Sequence, residues 1–174
     1  MKRTDIFPMP EYFDRYINLA EDTDLQEALK ISLDELNYLP LDQWRQIGDK
    51  VYAPAKWTIK DILQHIIDTE RVFMYRALCF ARGETARMPS FEEDEYARNA
   101  AGVNRSLDDL IEELKIIRAS AIAMFHSFTD EMLLQTGLSF KGTYSVLAIG
   151  FIIAGHQRWH FNIIQERYAS LANG

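Results

Sequence analysis

The chain has 174 residues and a formal net charge of -7, its 19 basic side chains dispersed among 26 acidic ones; this excludes a nucleic-acid partner held by phosphate neutralisation, which needs clustered Lys and Arg. Apolar residues make up 48%, with ten Phe, eight Tyr and three Trp as bulky core material, which is the composition of one ordered domain spanning residues 1–174. Cys79 is the only cysteine, Met1–Pro10 lacks the apolar run of a secretory leader, and the longest apolar stretch, Val146–Ala154, is far shorter than the roughly 20 residues that cross a bilayer, so the expectation is a cytoplasmic protein without an internal disulfide or a membrane partner.

Gly and Pro are sparse, and apolar residues recur at the helical rather than the alternating period. A first helix is predicted from Asp22 or Thr23 to about Tyr38, with Leu25, Leu29, Ile31, Leu33 and Leu36 on its apolar surface and Pro40 ending it. Leu41 to Ala55 reads as a connection with one turn around Trp44. The second helix has the clearest start: Thr58 as N-cap, Asp61 three residues on and Trp57 just before form a capping-box-like pattern. Ile59, Ile62, Leu63, Ile66, Phe73 and Ala77 make its stripe, and Gly83 is a natural stop. Glu84 to Arg105 is acidic in the middle and allows a short helix over Glu92–Asn99.

Ser106 with Asp109 caps a third helix to about Ser127, whose core face is Leu110, Leu114, Ile117, Ala121, Phe125 and Phe128. Asp130 to Leu134 reads as a short turn, then comes a Gly-containing loop to Gly142, and Thr143 opens the last helix, which runs to about Ala169. Four long helices with connections of unequal length define an all-α four-helix bundle, without repeats or a dividing linker.

The four histidines are not equivalent. His156 and His160 lie one turn apart in the last helix, on the face that carries Ile149, Ile152, Ile153 and Ile163, so both imidazoles point into the bundle. A buried imidazole needs a partner, and two at this spacing either chelate one ion or form a hydrogen-bonded core pair. His65 follows Ile62 by three residues, at the edge of the second helix's stripe. It is a candidate third ligand from a second helix, or else a packed or surface residue. Asp61 and Asp68 lie one turn either side of it, as second-layer partners or, more simply, as a cap and as an ion-pair partner of Arg71 or Arg76. His126, off the third helix's stripe, reads as structural or surface, and Cys79 as a small buried apolar residue.

At these residues the sequence resembles the DinB-like superfamily of small bacterial four-helix proteins, which includes the YfiT-like metal-dependent hydrolases. The resemblance is carried by YAPAKWTIKDILQHIIDTERVFMYRALCFARG (Tyr52 to Gly83), by PSFEEDEYARNAAGVNRSLDDL (Pro89 to Leu110) and by IAGHQRWHFNIIQERY (Ile153 to Tyr168). It implies an up-down-down-up bundle, often dimeric, and a divalent metal held by His65, His156 and His160. Many members have a further histidine just before the last ligand, where this chain has Trp159. Some relatives transfer low-molecular-weight thiols to electrophiles.

Three neutral ligands leave the charge of an ion uncompensated, and an open position favours hydroxide or thiolate. The expected function is therefore that of a metal-dependent hydrolase or thiol S-transferase acting on a small molecule. Zinc and nickel are the expected ions, with iron and copper also suited to imidazole. Asp68, Glu70 and Tyr144 are the candidate general bases, and Arg71 and Arg158 the candidate anchors for a thiol cofactor's carboxylates, although surface ion pairs explain the two arginines as well. The alternatives are a non-catalytic bundle tied together by metal, or an interaction module using the small-residue strip Gly150, Ala154 and Gly155, which intrachain packing would equally explain.

Overall fold

The structure, a computed structural model, describes residues 1–139 and 142–173. In chain order the elements are α1 (Asp14–Ile17), α2 (Leu25–Asp34, continued by a 3-10 turn over Glu35–Asn37), α3 (Leu41–Ile47), α4 (Ile59–Ala81), α5 (Glu93–Ala100), α6 (Leu107–His126), α7 (Asp130–Leu134), a hairpin of β1 (Thr136–Ser139) and β2 (Gly142–Ser145), and α8 (Val146–Tyr168). Short 3-10 turns cover Arg3–Asp5, Gly102–Asn104 and Ala169–Asn173.

The long helices begin where side chains replace missing backbone partners. Thr58 accepts from the Asp61 N–H while the Asp61 carboxylate accepts from the Thr58 N–H at 3.0 Å, closing a capping box. Ser106 caps α6, and Asp24, rather than Asp22 or Thr23, caps α2. The last helix starts at Val146 under Ser145, two residues later than expected, because Thr143 belongs to β2, paired with Leu138. The loop expected before Gly142 is thus a hairpin for its described part; Phe140 and Lys141 lie outside the described residues. The expected single turn around Trp44 is a two-turn helix, α3, which buries Trp44 and Ile47.

Helices α2, α4, α6 and α8 form the bundle, and their cross-contacts give its directions. Leu25 lies against Gly150 while Ser32 meets Gln157, so α2 and α8 run parallel. Gln64 bonds Arg105 while Glu70 bonds Arg118, so α4 and α6 also run parallel. Trp57 meets Tyr168 while Phe80 meets Tyr144, which makes α4 and α8 antiparallel. The topology is up-down-down-up, as the resemblance implied. Consecutive parallel helices cannot be joined by a tight turn, so residues 82–106 travel back along the bundle and carry α5.

Two apolar clusters fill the interior. One gathers Phe13, Phe73, Phe80, Phe125 and Phe151 at the hairpin end, and the other Trp44, Ile62, Ile66, Leu110 and Leu114 at the opposite end. Between them lies a waist of buried polar side chains, one or more from each long helix: Ser32, His65, Thr69, Glu70, Arg118, His156 and Gln157. No helix among the described residues is long and apolar enough to cross a membrane.

Candidate metal centre

His65 in α4 and His156 in α8 are 4% and 5% exposed, and His160, one turn beyond, is partly buried. Their antiparallel helices face the three imidazoles toward one point. Nε2 of His156 lies 3.2 Å from Nε2 of His65 and 3.0 Å from Nε2 of His160, and one ligand atom from each ring lies within 4.8 Å of the others.

Burial pulls the His65 pKa down to about 4. His160 is pulled to about 3, by burial and then by His65. His156 is held well below the ordinary value by burial first, and then by His160, His65 and Arg118. All three rings are therefore neutral at pH 7. His65 Nδ1 lies 3.4 Å from Thr69 Oγ1, a contact at the long end of hydrogen-bond range in which the hydroxyl can donate or accept. The other ring nitrogen, Nε2, faces the cluster. One Nε2 proton cannot satisfy two neighbours, so lone pairs converge on His156, an arrangement that a cation relieves. The donor set thus fits a divalent ion, and about 2.0–2.1 Å bonds at near-tetrahedral angles place ligand nitrogens roughly as far apart as the two short separations here.

Aromatic rings hold the cluster. Trp57 packs against His65 with centroids 4.8 Å apart and the rings tilted by 44°, and Tyr16 meets His156 edge-on at 5.1 Å. Two cavities reach the histidines. One, touching His156, is lined by Tyr12, Tyr16, Phe73, Arg76, Phe91 and Glu93. The other, about 260 Å3, touches His160 and is lined by Tyr52, Lys56, Trp57, Asp94 and Tyr168. Adjacent residues of α5, Glu93 and Asp94, thus wall different cavities.

The other candidates have prior engagements. Asp61 completes the capping box of α4 with Thr58. Asp68 accepts from Gln64 at 3.0 Å and faces Arg71, and its pKa is raised chiefly by burial. Glu70 is clamped by Arg118, which removes it as a general base. The Tyr144 ring packs between Phe13 and Phe80. Arg71 pairs with Glu113 and Arg158 with Glu21 and Glu35, the ion-pair reading of both. His126 is exposed at the end of α6. Cys79 is only partly buried, against the expectation of a core position, because it sits at the edge of the α4 stripe. The strip of small residues on α8 faces inward: a Cβ on Gly155 would lie 1.8 Å from the Tyr16 carbonyl oxygen, so intrachain packing accounts for it. Thr69, one turn beyond His65, is the contact that sequence reasoning missed, and its i+4 spacing was the available signal.

The sequence model of the DinB superfamily matches residues 18–164, and the chain belongs to that superfamily. Among solved structures it is similar to YfiT from Bacillus subtilis, described as a probable metal-dependent hydrolase with an unusual four-helix bundle topology. That likeness covers 91% of this chain and 86% of YfiT, with a TM-score of 0.66 and 16% identity, a likeness of fold. No curated protein matches.

Proposed function

We propose that this protein is a metal-dependent enzyme acting on a small molecule, with His65, His156 and His160 holding one divalent ion, zinc or nickel. The observation that carries the reading is the convergence of three buried, neutral imidazoles with their Nε2 atoms 3.0 and 3.2 Å from a shared member. The description of YfiT as a probable metal-dependent hydrolase supports it.

When bound by His65, His156 and His160, the ion would supply Lewis acidity to a water or a low-molecular-weight thiol. Thr69 fixes the His65 ring, and Trp57 and Tyr16 keep bulk water from the ligand nitrogens. Hydrolysis needs one entrance for substrate. Thiol transfer needs two reactants, and the separate cavities at His156 and His160 favour it as the second reading. There the sulfur forms its new bond to carbon as the electrophile's leaving group departs, and the thiol proton passes to solvent.

Elemental analysis of protein purified without an affinity tag or a nickel column tests the site and names the ion. Stoichiometric metal in the wild type and its loss in His156→Ala are expected. Unchanged metal content in His156→Ala would sink the reading. Thiol consumption with an electrophile, with and without metal, separates transferase from hydrolase.

A further inference from the structure

Two residues, each one turn from a clustered histidine, set the direction of the larger cavity. Ile62 precedes His65 on α4 and Ile163 follows His160 on α8; because these helices are antiparallel, both lie toward the same end of the bundle. There the cavity meets Trp57, shortly before α4, and Tyr168, the last residue of α8. The smaller cavity leaves the histidines the opposite way, past Thr69 and Phe73. At about 40 Å3 it is too small for a six-membered ring. The larger one, at about 260 Å3, exceeds the roughly 150 Å3 in which a benzene ring can be held.

The walls of the larger cavity are aromatic and already in place. Tyr168 is buried, and its hydroxyl donates to the Trp57 carbonyl. Tyr52 meets the Tyr168 ring edge-on, with centroids 5.1 Å apart, yet is 39% exposed. Trp57 packs against His65 and also lines the cavity. Between Tyr52 and Trp57 the chain turns through Ala55 at φ 60°, a left-handed conformation that a residue with a Cβ holds only where its surroundings fix it. Rings held in this way lose little freedom when a ligand enters, and their faces and edges favour a planar π system over a saturated ring. Charge at the mouth is balanced. Lys56 and Asp94, both exposed and opposite in sign, line the same cavity, so it carries no net charge to draw in an anion or a cation.

We propose that the cavity reaching His160 binds an uncharged aromatic ring, and that the small molecule this protein acts on carries such a ring. The ring sits among Tyr52, Trp57 and Tyr168, over the aliphatic surface of Ile62 and Ile163, with its reacting substituent toward His160. That the ring belongs to a substrate rests on the metal-centre reading; its binding in the cavity does not.

The test titrates full-length, chelator-treated protein by NMR with benzyl alcohol, cyclohexylmethanol, benzoate and benzylammonium. Benzyl alcohol is expected to shift the Trp57 indole N–H resonance saturably, and the two ions to bind at least about tenfold more weakly. Tyr52→Leu keeps an apolar wall but removes a ring, so the ratio of benzyl alcohol to cyclohexylmethanol affinity should fall about fivefold. Ile163→Trp fills the cavity and should abolish saturable binding of both alcohols. The proposal is overturned by the absence of a saturable response to benzyl alcohol, by tighter binding of either ion, or by an unchanged affinity ratio in Tyr52→Leu. A folded Ile163→Trp protein that binds like the wild type also overturns it; if that variant does not fold, Tyr52→Leu decides, because its side chain is exposed. Saturable ring binding by a protein whose metal content is the same in His156→Ala as in the wild type would refute the metal centre and leave the ring site standing. Metal lost in His156→Ala with no response to benzyl alcohol would do the reverse.

Discussion

Two groups of buried polar side chains share the waist of this bundle, and they are completed in different ways. Arg118 gives Glu70 two bonds, at 2.8 and 3.0 Å, and uses its remaining nitrogen on Ser32, so opposite charges and donors are matched within the chain. The histidines, one of them five residues before Glu70 on α4 and two on α8, are neutral, of one kind, and turned toward each other, with cavities reaching His156 and His160. The first group can only hold helices α2, α4 and α6 in register. The second is left incomplete by the protein and is open to small molecules. Burial of polar atoms is common to both, so burial alone does not mark a site. What marks it is a mismatch between the donors and acceptors present.

That contrast can be broken most forcefully at Glu70. Glu70→Ala strands a fully buried guanidinium, and a loss of about 3–5 kcal/mol in unfolding free energy is expected from urea denaturation. Metal content of the folded fraction should not change. If instead the metal-free stability drops as far in His156→Ala as in Glu70→Ala, the distinction between the two groups fails.

The next effect is one of pH. A histidine whose pKa falls on folding, from 6.5 to about 4 for His65, binds its proton more readily in the unfolded chain. Stability of the metal-free protein therefore rises with pH across that window and is lost as pH falls through it, by about 3 kcal/mol for His65 alone. Denaturation curves between pH 7 and pH 4 check this, and His65→Leu should flatten the dependence. A profile unaltered by that substitution would assign the acid sensitivity elsewhere.

The smallest effect sharpens the comparison. Thr69→Val removes the oxygen beside His65 Nδ1 while nearly keeping shape, and metal affinity measured against a chelator should fall about tenfold with stability almost unaffected. Equal affinity would mean that the ring is positioned by Trp57 packing alone.

Much of this was legible in the amino-acid sequence where the physics is local. Thr58 with Asp61, and Ser106 with Asp109, mark helix starts because capping is settled within four residues. The inward face shared by His156 and His160 follows from helical spacing. His65 became a full candidate only through the family resemblance, since periodicity places a side chain on a face and says nothing of what it meets. The hairpin escaped because strands of four residues are too short for alternation to register, and Ser145 was overlooked as a cap for the same reason. Glu70 looked available in sequence. Its occupation by Arg118, 48 residues away, is a tertiary fact.

The long return path between the parallel helices α4 and α6 has a consequence for how this protein can diverge. A bundle with alternating helix directions closes with tight turns and has little spare chain to shape an opening. Here the crossover is compulsory, and its residues, Ser90, Phe91, Glu93 and Asp94 among them, wall both entrances while contributing none of the three histidines. Under the proposed function, reactivity and selectivity are thereby written in different stretches of sequence. Mutation of the crossover can reshape both cavities while the histidine-bearing face of α4 and α8 is inherited unchanged.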